Sequence, residues 1–198
     1  RRIYVRDLQQ AHARPVSGTE YADHPFWSPD SAALAFFANS KLKRVALNGG
    51  PAVIVCDAPS GVAGTWSKTG TILFSAASGP VLHVNASGGT PEQATRLNAR
   101  DEDDGNHWPA FLADGVHFLY TARSNRHEGK LYAAAIGSTD ATYVLSTPSQ
   151  ALFSQGLLYY LRGNNLISQP FSGKSLRVNG DTTAIAEQIG RASCRERV

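Results

Sequence analysis

The sequence predicts an all-β protein, a β-propeller of four-stranded antiparallel blades. First, a unit recurs roughly every 40 residues, and its aromatic anchor repeats at steps of 39, 45 and 42 residues (66−27, 111−66 and 153−111). Second, short apolar runs bounded by turn residues follow every anchor, as in core strands. Third, no long window shows the 3.6-residue apolar spacing of an amphipathic helix. The anchors are Trp27, Trp66, Phe111 and Phe153.

The four strands of a unit can be placed in order from its anchor. The first strand carries the anchor, and the second is a run of β-branched, aromatic and leucine residues. These runs cover residues 34–37, 72–74, 118–121 and 157–161. The third strand opens with a leucine in each unit, and Ile3 opens that of an earlier unit. The leucines are Leu42, Leu82, Leu131 and Leu166.

The fourth strand follows a glycine-rich turn. The pair Gly49-Gly50 is typical of a hairpin turn, because glycine adopts positive φ without a steric cost. Residues 52–56 and 142–145 then form fourth strands. Aspartates in the turn after the anchor, such as Asp30 and Asp114, are expected to accept local backbone hydrogen bonds.

We expect residues 1–188 to be a partial propeller and residues 189–198 to be non-native. The last ten residues, IGRASCRERV, match one reading frame of a common sequencing adapter. At about 42 residues per blade, 188 residues give about four and a half blades, and propellers close with about four to eight. The chain is therefore expected to be a fragment of a larger ring within a longer protein, with open edges through which copies self-associate.

Composition argues against several classes of partner. Without the tail the formal net charge falls from +3 to +1, since three of 19 basic and one of 16 acidic residues are removed. No basic stripe remains to indicate a nucleic-acid partner. No apolar run of 18 residues is present, so no membrane segment is predicted. Cys56 is left as the single cysteine and is expected to be a small buried hydrophobe.

Motifs for catalysis, cofactors and metals are missing from the sequence. No serine-hydrolase elbow, phosphate-binding loop, zinc-protease or kinase motif occurs, so we expect no enzyme activity and no cofactor. The acidic stretch 101–107 resembles a calcium loop, but Asn106 and Leu112 stand where an EF-hand needs glycine and glutamate. His24 and His107 precede similar segments, which predicts equivalent loop positions, and no metal site is assigned.

One face of the propeller is predicted to carry a ligand or partner surface. Loops between successive blades, and loops between the second and third strands, emerge on the same face. Charged and aromatic residues lie in these loops, whereas the anchors are expected to pack as core between blades. The predicted surface comprises Tyr21, Asp23, His24, Asp101, Asp103, Asp104, His107, Arg126 and His127.

The repeats carry a family resemblance. The strings WSPD at 27–30 and FLADG at 111–115, with the glycine-pair turns, resemble the blades of TolB-like and related WD-repeat-like bacterial propellers. Over residues 1–188 the chain also resembles the C-terminal propeller of acidobacterial transmembrane serine/threonine protein kinases. That resemblance implies a kinase domain and a membrane helix upstream, with the propeller outside the cytoplasm.

Three functions follow as hypotheses. The first is a non-catalytic domain that recognises a protein, peptide or small ligand and acts as the sensor or interaction domain of a larger bacterial protein, such as a kinase. The second is the substrate-gating propeller of a prolyl-oligopeptidase-like serine peptidase, whose catalytic domain would follow this chain. The third is a structural interaction scaffold, since a fold alone does not fix function.

Overall fold

The computed structural model describes residues 1–97, 103–124, 129–138 and 140–187, and all regular secondary structure in these ranges is β-strand. The expected tail at 189–198 lies outside them. A two-stranded ribbon, β1 (Tyr4–Val5) and β2 (Arg14–Pro15), comes first. Four larger antiparallel sheets follow it along the chain.

Each larger sheet is one blade, and in the first three blades the strands pair in sequence order. The first blade is β3 (Asp23–Trp27), β4 (Ala33–Ala38), β5 (Lys41–Ala46) and β6 (Val53–Asp57). The second is β7 (Gly61–Trp66), β8 (Thr71–Ala76), β9 (Leu82–Asn85) and β10 (Glu92–Gln93). The third is β11 (Asp103–Phe111), β12 (His117–Ser124), β13 (Lys130–Ala135) and β14 (Ala141–Ser146). The fourth is β15 (Leu152–Ser154), β16 (Leu157–Arg162), β17 (Asn165–Ser172), β18 (Arg177–Val178) and β19 (Thr183–Ala186).

The predicted fold class is confirmed: the chain is an all-β propeller of antiparallel four-stranded blades. The fourth blade departs from the simple meander, because two short strands share the long β17. Strand β18 pairs with the end of β17 through Phe171 and Val178, and β19 pairs with its first half through Leu166 and Ala186. Blade formation therefore tolerates a divided outer strand.

Successive sheets are held together by four apolar clusters, and each cluster is shared between two neighbours. The cluster around Phe37 and Phe74 joins the first and second blades, and that around Leu73 and Phe118 joins the second and third. Leu131 and Leu158 lie in the cluster between the third and fourth blades. A further cluster packs the β1–β2 ribbon on the first blade. Because the second strands β4, β8 and β12 contribute to two of these clusters each, they are buried on both faces, as their continuous apolar runs predict.

Close packing between the first two blades depends on glycine in β7. A Cβ atom on Gly61 would lie 2.2 Å from Cδ1 of Phe37, and one on Gly64 would lie 2.3 Å from Cε1 of Phe26. Both rings belong to the first blade. The two glycines thus let the first strand of the second blade, β7, lie directly against aromatic rings of its neighbour.

Trp27 departs from the prediction that all four anchors are core. Its side chain is 49% exposed and borders a cavity beside the β1–β2 ribbon, with Arg6, Arg14 and Leu47. The ribbon offers only two short strands on this side of the first blade, which is too little to cover the ring. The repeat position sets the direction of the side chain, but a full neighbouring blade is needed to bury it.

No helix of the described residues is long and apolar enough to cross a membrane.

Candidate functional site

A cavity of about 380 Å³ lies where the turns between first and second strands of all four blades meet. We call it the turn-side cavity. The first strand of each blade ends at this cavity, so every copy of the repeat supplies lining residues from the same short stretch. The lining comprises Pro29, Thr65, Trp66, Ser67, Lys68, Phe111, Leu112, Ala113, Gly115, Phe153, Ser154 and Gln155.

A second cavity of about 420 Å³ adjoins the first between the turns of the first and second blades. It shares Pro29, Trp66 and Lys68 with the turn-side cavity and adds Asp30 and Gly70. Together the two form one continuous concave surface at this end of the blades.

Local hydrogen bonds fix the turns that frame the cavity. In the first blade a carboxylate oxygen of Asp30 accepts from Ser28 Oγ at 2.5 Å and from the Ala32 N–H at 3.0 Å. These bonds lower the pKa of Asp30. In the second blade Ser67 Oγ lies 2.7 Å from Thr69 Oγ1, so a hydroxyl replaces the carboxylate. The aspartate of the first turn is therefore structural, as the sequence predicts.

The third blade uses Asp114 in the same way. Its Oδ1 accepts from the N–H groups of Val116 and His117, both at 2.9 Å, and its Oδ2 lies 2.6 Å from His117 Nδ1. Burial opposes ionisation of Asp114, but these hydrogen bonds outweigh it and lower the pKa. The predicted local backbone bonds are thus confirmed for both aspartates.

Aromatic rings from three blades form the apolar wall of the turn-side cavity. Trp66, Phe111 and Phe153 are each partly buried, and each packs against a different inter-blade cluster. The ring of Phe153 meets Phe171 edge-on, with centroids 5.5 Å apart. The rest of each ring borders the cavity, so the wall is apolar and is held by the core behind it.

One cation stands among these lining residues. Lys68 occupies the second position after the anchor, where the other turns have Pro29, Ala113 and Gln155. Within the described ranges Lys68 has no ion pair within 4.0 Å. In sequence this turn also differs from those of the first and third units in lacking their aspartate, with Thr69 in its place. Its position in a shared cavity becomes visible once the four turns are seen to meet at one end.

The predicted ligand surface lies at the opposite end of the blades. Asp23 and Asp103 are the first residues of β3 and β11, whereas the cavity lies beyond the last residues of these strands. We call the described part of this surface the inter-blade rim, comprising Tyr21, Asp23, His24, Asp104 and His107. Predicted members Asp101, Arg126 and His127 lie outside the described residues, as does the side chain of Asp103.

The first-blade part of the rim is solvent-exposed. Tyr21 and His24 adopt positive φ values of 63° and 46°. The carboxylate of Asp23 forms an ion pair with Arg1 at 2.6 Å and accepts the His24 N–H at 3.1 Å. Much of the hydrogen-bonding capacity of Asp23 is therefore used within the chain.

The two described third-blade members of the rim differ, because Asp104 is exposed and His107 is buried. The His107 side chain lies among buried residues, and burial, followed by the charge of Arg123, lowers the pKa of its ring. The guanidinium of Arg123 lies 5.9 Å from the ring centroid of Trp108. The carbonyl of Asp104 accepts the Gly79 N–H at 3.1 Å, which ties this strand to the second blade.

His24 and His107 are not equivalent, contrary to the sequence prediction. The residue before proline in the third blade is Trp108, and it shares positive φ with His24, at 53° and 46°. Strand pairing slips at both places, between Asp23 and Phe26 and between His107 and Ala110. His24 therefore corresponds to Trp108, and His107 corresponds to Asp23.

Two further chemical features bear on function. Cys56 is buried, and desolvation raises the pKa of its thiol to about 11. Such a thiol is protonated near neutral pH and is a poor nucleophile. Among the described residues, no group of three or more His, Cys, Asp or Glu side chains is placed to hold a metal ion.

Comparison with known proteins shows that the chain is similar to solved structures in its fold. No protein-family model matches the chain, and no curated protein sequence matches it significantly. TolB from Acinetobacter baumannii matches with a TM-score of 0.70 at 15% identity, over 94% of this chain and 49% of TolB. The calcium-binding protein regucalcin from Agrobacterium tumefaciens matches with a TM-score of 0.61 at 15% identity, over 82% of this chain and 58% of regucalcin.

A prolyl endopeptidase structure is also similar, with a TM-score of 0.60 at 10% identity over 89% of this chain and 32% of the endopeptidase chain. The chain spans about half the length of TolB. At these identities the likeness shows the β-propeller fold alone.

Proposed function

We propose that this chain is a non-catalytic recognition domain that binds a protein, peptide or small ligand, and that it serves as the sensor or interaction domain of a larger bacterial protein. The observation that carries this proposal is the turn-side cavity, to which all four blades contribute and which three partly buried rings line. Concave apolar sites of about 300–1,000 Å³ with few polar groups are typical of ligand binding.

The turn-side cavity supports binding better than the inter-blade rim does. Its rings are held from behind by the inter-blade clusters, so little conformational entropy is lost when a ligand docks on them. On the rim, Asp23 is already paired with Arg1, and His107 is buried. A ligand on the rim would have to compete with these internal contacts.

The described chemistry supports a role without catalysis. Burial keeps the Cys56 thiol protonated, and Asp114 and His117 are engaged in a turn. A catalytic domain, where the parent protein has one, would then lie elsewhere in its sequence. Because fold alone does not fix function, this part of the proposal rests on the residues and not on the propeller.

We further propose a bacterial serine/threonine kinase as the parent, on the resemblance of the repeat strings. A peptidase parent is the second candidate, supported by the likeness of the blades to a prolyl endopeptidase structure. A long read through the source locus separates them. An upstream kinase signature with a membrane helix supports the kinase parent, and a downstream G-x-S-x-G elbow supports the peptidase parent. If the locus encodes neither, the result favours a structural interaction scaffold.

Recognition itself is tested with a synthetic library of short random peptides with free termini, affinity-selected on the intact chain. Ala113→Gln fills part of the cavity from an exposed position, so it should abolish binding of the selected peptides without harming the fold. Tyr21→Ala on the rim should leave binding unchanged. Peptides lost through Tyr21→Ala but kept by Ala113→Gln would contradict this site. An empty selection would remove short peptides from the proposed ligand classes.

A further inference from the structure

The turn-side cavity carries a charge that its turns do not require. The position of Lys68 is filled by Pro29 and Ala113 in the turns of the first and third blades, and neither of them adopts positive φ. A neutral residue is therefore compatible with this turn. Lys68 is exposed, and its backbone adopts no positive φ. The lysine therefore contributes little to building the turn.

Lys68 also has no internal partner that would explain it. No carboxylate of the described chain lies within 4.0 Å of its ammonium group. Among the described residues that line the two cavities, Asp30 is the only one with a carboxylate. That carboxylate already accepts hydrogen bonds from Ser28 Oγ and the Ala32 N–H. An unpaired cation thus stands beside an apolar wall made of Trp66, Phe111 and Phe153.

We propose that the turn-side cavity takes an apolar group, preferably aromatic, that carries a free carboxylate, with the apolar group against the ring wall and the carboxylate at Lys68. This inference rests on the proposed recognition function and adds the chemical class of the ligand. Two sources supply this chemistry, the C-terminal residue of a peptide and a small organic acid.

The physical reasons are complementarity of shape and of charge. Aromatic rings offer apolar area and favour edge-on or offset contacts with another ring. A carboxylate at the mouth of the cavity stays partly solvated, so it gains attraction to Lys68 without the full cost of burial. A cationic ligand would be repelled by the ammonium group of Lys68, so the site should select anionic over cationic ligands.

The test compares two probes of nearly the same size and shape, one with a carboxylate and one with a neutral amide: N-acetyl-phenylalanine and N-acetyl-phenylalanine amide, titrated calorimetrically into the intact chain. We expect the acid to bind about fivefold more tightly than the amide, the size of an exposed ion pair. The advantage should shrink in high salt, because exposed charges are screened. Equal binding of acid and amide would overturn the carboxylate inference.

Two variants assign the effect to its residue. Lys68→Gln should remove the advantage of the acid while leaving amide affinity unchanged. Lys174→Gln, an exposed lysine in the β17–β18 turn, serves as the matched control and should change neither affinity. If Lys68→Gln keeps the preference for the acid, the proposed role of Lys68 is wrong.

A further pair separates this inference from the recognition function beneath it. Ala113→Glu adds a carboxylate to the cavity, and Ala113→Gln adds the same bulk without charge. If both block both probes, the cavity is the binding site, and the acid-to-amide ratio alone decides the carboxylate inference. If neither variant affects either probe, the proposed site itself fails.

The source of the carboxylate follows from a third probe, 3-phenylpropionate, which keeps the ring and the acid but lacks the amide group. If N-acetyl-phenylalanine binds more tightly than 3-phenylpropionate, the natural ligand is assigned as the C-terminal residue of a peptide. If the two acids bind equally and Lys68→Gln weakens the binding of both, the natural ligand is assigned as a small organic acid.

Discussion

His107 lies on the first strand of the third blade with only 5% of its surface exposed, and burial lowers the pKa of its imidazole. A buried neutral ring resists protonation, so below about pH 6.5 the unfolded chain binds more protons than the folded one. The stability that His107 contributes is thus fully present above that pH. It is lost as the pH falls towards the lowered pKa of the folded state.

We predict that His107→Gln weakens the pH dependence of stability between about pH 7.5 and 5.5. The wild-type chain should lose free energy of unfolding across this range, and the variant should lose less, because one histidine with a lowered pKa has been removed. Urea unfolding at several pH values gives the slope. His12→Gln, at an exposed position, is the control. An unchanged slope in His107→Gln would show that another group dominates.

At this scale the sequence could identify turn aspartates but not the environment of each histidine. Asp30 and Asp114 act locally, within two or three residues, so their hydrogen bonds follow from the turn pattern. His24 and His107 look alike in sequence, yet one is exposed and the other buried. A one-residue offset at a strand irregularity decides which side a residue faces, and no short string reveals it.

At the scale of elements, strand β7 shows how a blade is fitted to its neighbour. It carries Gly61 and Gly64 where the rings of Phe37 and Phe26 approach from the first blade. The sequence predicted the strand from its anchor, Trp66, but the need for glycine comes from rings that lie 24 and 38 residues earlier in the chain (61−37 and 64−26). Distant contacts of this kind are not visible in the repeat pattern.

We predict that Gly61→Ala destabilises the chain by about 1–3 kcal/mol, the usual cost of overpacking. The added methyl group would lie 2.2 Å from Cδ1 of the buried Phe37 ring, so the ring or the strand must shift. Thermal or urea unfolding measures the change. Gly173→Ala is the matched control, since its nearest contact would be 3.8 Å, and it should be near neutral. A Gly61→Ala variant as stable as wild type would mean that β7 and β4 are less closely packed.

For the four aromatic anchors as well, the repeat pattern predicts the position in the strand but not the burial of the side chain. Periodicity was sufficient to place all four anchors near the end of a first strand. It was not sufficient to say how far each is buried, because that depends on the neighbouring sheet. Trp66 has a complete blade on either side, whereas Trp27 faces only the β1–β2 ribbon and is half exposed.

At the scale of the whole molecule, the four blades form a curved stack with exposed apolar residues on its outermost sheets. Trp27 belongs to the first blade, and Leu152 and Ile185 belong to the fourth. The outer strand of each blade also leaves backbone groups available for pairing. Such surfaces favour contact with another copy of the chain.

We predict that this polypeptide self-associates when it is expressed alone. Sedimentation should show an average mass that rises with protein concentration, and the melting temperature should rise with it, because association stabilises the folded state. Trp27→Gln should weaken the association by removing apolar contact area. A monomer with a sharp, concentration-independent melt would contradict the prediction.

The repeat predicted the architecture well because a propeller is a sum of similar neighbouring units. It did not predict the candidate site. Sequence reasoning placed the ligand surface on the loops between blades, where the charges are, while the cavity lies at the other end. Lys68 and the rings become a site only when four distant turns converge, which is a property of the curved stack of blades and not of any single repeat.

The central claim is that ligand recognition occurs at the turn-side end of the blades, and hydrogen exchange in the presence of a bound ligand tests it most directly. With N-acetyl-phenylalanine at saturation, we predict slower amide exchange in the turns at 67–70, 112–116 and 154–156, and no change at 21–24 or 103–107. Slower exchange only at 21–24 and 103–107, with the turns unaffected, would contradict this claim and would indicate that the ligand binds at the inter-blade rim.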